Sequence, residues 1–66
     1  MTTLLRAKQT QAATGLSRSH LYNLVSKGLF PKPVKLSEKS VAWIEAEVQA
    51  WIDSRIAERD NVEGSK

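Results

Sequence analysis

Gly15-Leu16-Ser17-Arg18-Ser19-His20-Leu21-Tyr22-Asn23-Leu24 is the stretch that decides the fold. Glycine tolerates the positive φ that closes a helix, so Gly15 is read as the end of one. Leu16 follows as an apolar plug, and the Ser17 hydroxyl can accept from the free N–H groups of a new first turn. The stretch therefore predicts helix, turn, helix. From about Arg18 to Lys27, Leu21, Leu24 and Val25 fall on one side at i, i+3, i+4, leaving Ser19, Tyr22, Asn23, Ser26 and Lys27 on the other. That outer face lacks carboxylates and is rich in donors for base edges and phosphates, which is what a helix needs to enter a major groove.

Working outward, the helix before the turn spans about Ala7 to Thr14. Its inner positions, Ala7, Thr10, Ala13 and Thr14, offer little apolar area, so Leu16 and Leu21 must hold it in place. Leu4-Leu5 is a short extended segment able to pair with or pack under a later hairpin, and Met1 to Thr3 should be loose. After the second helix, Gly28 supplies a left-handed stop, and the prolines in Leu29-Phe30-Pro31-Lys32-Pro33 impose an extended path. Val34-Lys35-Leu36 and Val41-Ala42-Trp43 alternate around the turn chemistry of Ser37-Glu38-Lys39-Ser40, predicting a hairpin. A third helix over about Glu45 to Arg59 carries Val48, Trp51, Ile52 and Ile56 as a stripe. Glu45 and Glu47 in its first turn and Arg55 and Arg59 in its last suit the helix dipole. The expected organisation is one domain over residues 1–59 and a flexible tail over 60–66.

A chain of 66 residues buries only about 60% of its unfolded surface, so the core must be small and a deep catalytic pocket is excluded. Cysteine is absent, so neither a disulfide framework nor a thiolate zinc site reinforces that core. The first residues carry no long apolar run of the signal-peptide kind, and the expected location is the bacterial cytoplasm, on the nucleoid. The net charge of +3 is unevenly spread. Up to Trp43, the bases Arg6, Lys8, Arg18, Lys27, Lys32, Lys35 and Lys39 face the single acid Glu38, a net +6; the remainder carries −3. One face is thus suited to a polyanion and the other is turned from it.

Gly15 to Tyr22, Gly28-Leu29-Phe30-Pro31-Lys32-Pro33-Val34, Val41-Ala42-Trp43 and Glu47-Val48-Gln49-Ala50-Trp51-Ile52, in that order, resemble the AlpA family of small prophage regulatory proteins. The resemblance runs from about Leu4 to Arg59. That family is similar to excisionases and to the DNA-binding heads of MerR-type regulators, so the resemblance implies a mainly α winged helix-turn-helix with a small β-hairpin wing. It also implies sequence-specific binding to double-stranded DNA, with the second helix in the major groove and the wing on the backbone. The related families usually carry larger apolar residues where this chain has Ala7 and Thr10. Arg18, Ser19, Tyr22 and Asn23 are expected nearest the bases, arginine suiting guanine and asparagine adenine. His20, Lys27, Lys32, Lys35 and Lys39 are expected on phosphates.

His20 lacks the second histidine or cysteine of a metal or nucleophilic site and is read as a helix-surface residue able to donate to a phosphate. Neither cofactor, metal nor small-molecule ligand is expected, and the chain is not expected to be an enzyme. Trp43 and Trp51 sit at inward positions of their patterns and are read as core rather than as base-stacking platforms. Phe30 is read as core or hairpin packing. Tyr22 is a quarter-turn off the inner face, at either the core edge or the DNA, and the resemblance favours DNA. Two rival roles stand beside this one, the first on the same surface and the second on another. One is an architectural excisionase that bends DNA for a recombinase, with a second copy or that recombinase as partner. The other is an interaction module built on the third helix, whose stripe spans fewer than the three or four heptads a coiled coil requires.

Overall fold

The fold of residues 1–64 is described by a computed structural model, with side chains described through Asn61. Its elements in chain order are β1 (Leu4–Leu5), α1 (Ala7–Thr14), α2 (Arg18–Ser26), β2 (Val34–Ser37), β3 (Ser40–Ile44) and α3 (Glu45–Gly64). Three helices and a small antiparallel sheet of order β1-β3-β2 make a mainly α winged helix with a hairpin. This is the architecture the sequence predicts, and α1, α2 and the hairpin fall within a residue of their expected places.

The turn between α1 and α2 follows from its residues. Gly15 has φ 77°, and its N–H donates to the Gln11 carbonyl at 2.7 Å. Ser17 Oγ then accepts the His20 N–H at 3.2 Å, satisfying one free donor of the first turn of α2. At the other end of α2, Gly28 has φ 74° and donates to Val25, while the Leu29 N–H reaches the Leu24 carbonyl at 2.9 Å. These paired bonds form a Schellman motif, which leaves the chain pointing into the proline-containing segment.

Leu21, Phe30, Trp43 and Val48 form the buried centre, with Leu5, Ala7, Leu16, Leu24, Val25, Val41, Trp51 and Ile52 packed round it. Full burial of Leu21 or Val48 is worth about 1.5–3 kcal/mol. Thr10 is also fully buried. Its hydroxyl donates to the Arg6 carbonyl at 3.0 Å, so the threonine enters the interior without an unmet polar atom. The expected weak point of α1 is therefore closed by a bond within its own first turn.

Two indoles fasten the irregular segment before the hairpin. Trp43 Nε1 donates to Pro31 O and Trp51 Nε1 to Leu29 O, each at 2.8 Å. Phe30 lies between these carbonyls, edge-on to both indoles with ring centroids 6.4 and 4.9 Å away. Both therefore pack into the core as expected, but at unequal depth, with Trp43 fully buried and Trp51 keeping part of its surface exposed.

β3 is central. It pairs with β1 through Leu4–Ile44 and Leu5–Trp43 and with β2 through Val34–Ala42 and Lys35–Val41. Ala42 and Trp43, which point to opposite faces, are both buried, so the strand is covered on both sides there. β2 is exposed along its length, contrary to the alternation expected, because it is an edge strand with a register irregularity between Lys35 and Ser37. Among the described residues only glycines have positive φ, so the two-residue Glu38-Lys39 turn is not of the primed type, and the bulge beside it supplies the local twist.

α3 begins where expected but continues to Gly64 instead of ending near Arg59. Nothing between Arg59 and Gly64 breaks a helix, so Arg55 and Arg59 are interior to it, not in its last turn. Arg55 pairs with Glu58 at 3.3 Å and Arg59 with Asp60 at 3.0 Å, both solvent-exposed and of small energetic weight. Ile56 is 44% exposed, so the apolar stripe loses its cover after Ile52. Of the expected tail, residues 65–66 lie outside the described residues. No helix among the described residues is long and apolar enough to cross a membrane.

Candidate nucleic-acid interface

The apolar side of α2 is fixed by Leu21 in the core and by Leu24 and Val25 beside it. At 3.6 residues per turn, Ser19 and Asn23 are only about 40° apart on the opposite side, and both are exposed. Ser26 is exposed on the same side, but its hydroxyl donates to the Asn23 carbonyl at 2.8 Å and is engaged by the helix itself. Lys27 is exposed at the C-cap.

Arg18 stands about 140° round the helix from Asn23 and so points to a different flank. Its guanidinium carbon lies 5.5 Å from the centroid of the Tyr22 ring. Tyr22 is half-buried, and its ring meets Trp43 edge-on at 5.8 Å. Tyr22 thus stands at the edge of the core as a bridge, its ring against Trp43 and the Arg18 guanidinium over it.

Beside that pair opens a cleft of about 300 Å³. It is lined by Arg6 and Lys8 from the start of α1, Arg18 and Tyr22 from α2, and Lys39 and Val41 from the hairpin. No carboxylate lines it among the described residues. Lys35 pairs across the hairpin with Val41, so its side chain leaves the same face of the sheet as a residue of the cleft wall.

The remaining expected phosphate residues are dispersed. Lys32 shares a shallow depression with Pro31, Glu47, Ala50 and Trp51, none of which borders the basic cleft. His20 is exposed and lines a larger cleft, about 590 Å³, with Leu24, Trp51, Arg55 and Glu58. The three lysines expected to decorate the wing therefore occupy different settings, with Lys39 in the basic cleft, Lys35 across from its wall and Lys32 beside α3. Arg6 and Lys8 were not among the expected contacts. Their one signal in the sequence is that they are cations in a half with almost no acids.

The family described as "Prophage CP4-57 regulatory protein (AlpA)" matches this chain over residues 3–56. The chain is 49% identical over 55 residues to an uncharacterized protein, ORF88, of Enterobacteria phage P4, a match covering 83% of this chain and 62% of that protein. It is 34% identical over 58 residues to the DNA-binding transcriptional activator AlpA of Escherichia coli, covering 79% of this chain and 83% of that one. The matched region thus spans under two thirds of the phage relative's length. No solved structure matches.

Proposed function

Because the chain belongs to the AlpA family of prophage regulatory proteins, we propose that it binds a duplex DNA site in the bacterial cytoplasm and regulates transcription of phage or prophage genes from it. In this reading residues 1–59 form the DNA-binding unit and α2 lies in the major groove. Asn23 reads a base there, its amide suiting the paired donor and acceptor of adenine, and Ser19 adapts to a neighbouring edge. Lys27 and Lys35 meet phosphates on either side, fixing register without reading sequence. The hairpin follows the backbone. Membership of a family of regulatory proteins supports a regulator rather than an enzyme.

The observation that carries the reading is the outer side of α2, where Ser19 and Asn23 project together, exposed, from a helix with Leu21 held in the core. A rigid inner face and a donor-bearing outer one present side chains in fixed register to a groove about 12 Å wide. Selection of bound sequences from a random duplex library tests it. Enrichment of a defined motif is expected, and Asn23→Ala should relax the preference at one base pair by about 1–3 kcal/mol. A library recovered without enrichment would overturn the reading.

A further inference from the structure

We infer that the cleft between the start of α1, the start of α2 and the hairpin turn is a seat for a backbone phosphate of the bound duplex, held by Arg6, Lys8, Arg18 and Lys39. The inference rests on the duplex-binding reading and changes the part played by two residues of α2. Arg18 grips phosphate here instead of reading guanine, and Tyr22 positions Arg18 instead of touching a base.

Charge supports the assignment first. Four cations from three separate stretches of chain are folded round one cleft, and no carboxylate among the described residues joins them. Like charges gathered in this way repel, and the fold gains nothing from the arrangement by itself. A bound anion turns the same arrangement into attraction.

Shape and rigidity point the same way. A volume of about 300 Å³ is at the small end of ligand pockets, and this lining is cationic where a site for a neutral organic molecule would be mostly apolar. Arg18 lies over a ring that is itself wedged edge-on against the buried Trp43. A guanidinium held over a ring by cation–π attraction still has N–H groups to offer, and its planar fork matches two phosphate oxygens. Lys39, at the hairpin turn, brings the wing to the same anion, so one phosphate would tie the wing to the helices.

The test compares the parent, Arg6→Gln/Lys8→Gln and Arg59→Gln across a salt series on the selected duplex and on a scrambled one. Arg6 and Lys8 are exposed, Arg6 caps α1 through its backbone alone, and glutamine retains helix propensity at position 8, so the double variant should melt like the parent. The cleft seats one phosphate, so losing Arg6 and Lys8 should lower the magnitude of the slope of log K against log salt by up to about 0.9, on both duplexes alike. Arg59→Gln removes a charge from the far part of α3 and should leave the slope unchanged. Tyr22→Leu, which loosens Arg18 over the same phosphate, should lower the slope in the same direction by no more than about 0.9, and Tyr22→Phe, which keeps the ring, should restore it. A double variant with the parent's slope would overturn the phosphate seat while duplex binding stood. A parent that bound no duplex at low salt would overturn both.

Discussion

Trp43 and Trp51 make the same bond, indole N–H to a carbonyl flanking Phe30, from unequal depths. Trp43 has no exposed surface. Its truncation to alanine should cost about 3–5 kcal/mol, comparable with the whole stability of a domain this small, and leave the protein largely unfolded in urea titrations. Trp43→Phe should cost less, about 1–3 kcal/mol, chiefly from the unanswered Pro31 carbonyl. Trp51→Ala should fall clearly below Trp43→Ala, with a cooperative transition still visible, because part of the ring already faces water. Periodicity turns both rings inward, but it reports only which side of an element faces in. Depth depends on what covers that side, and α3 passes the edge of the core at Trp51. Thr10 illustrates the complementary failure, since a polar residue read as weak becomes buried once its hydroxyl finds the Arg6 carbonyl.

Helix ends were legible where the signal is local. Gly15, Ser17 and Gly28 act through their own φ angles and nearest N–H groups, and each does what its residue type dictates. Ser17→Ala should cost about 1 kcal/mol through loss of the cap on α2. At Gly28 an added Cβ would meet nothing within 4 Å, so Gly28→Ala carries only the cost of the left-handed backbone, about 1–2 kcal/mol. Gly28→Asn should recover much of that, because asparagine tolerates this conformation better. Chemical denaturation of the three variants checks the ordering, and an alanine as stable as the parent would show that the Schellman turn had rearranged. The far end of α3 was illegible for the converse reason. Basic residues at 55 and 59 imitate a last turn, and the next local stop is Gly64. The hairpin was legible as strands, but the destinations of its lysines were not, since those depend on which helix each strand end approaches.

As a whole the molecule is elongated, 48 × 28 × 19 Å, with a radius of gyration of 13.1 Å where about 11 Å is usual for this length. The second half of α3 accounts for the excess, because its side chains from Asp53 through Asn61 are exposed. Deleting residues 58–66 should therefore leave the melting transition within about 1 kcal/mol of the parent and preserve duplex binding, as calorimetry and a binding titration would show. The convergence of Arg6 and Lys8 with Arg18 and Lys39 is likewise a property of the whole, invisible to any window of sequence. So is the closure of the sheet. Thr3 O accepts the Glu45 N–H at 2.8 Å, and Leu4–Leu5 pair with the end of β3, so residues about forty positions apart complete one another. During synthesis the opening residues must therefore wait until β3 and the start of α3 have left the ribosome. Up to that moment the nascent chain can hold α1 and α2 only as isolated, marginal helices, and the face shared by α2 and the hairpin should come into being in one step once the start of α3 has emerged.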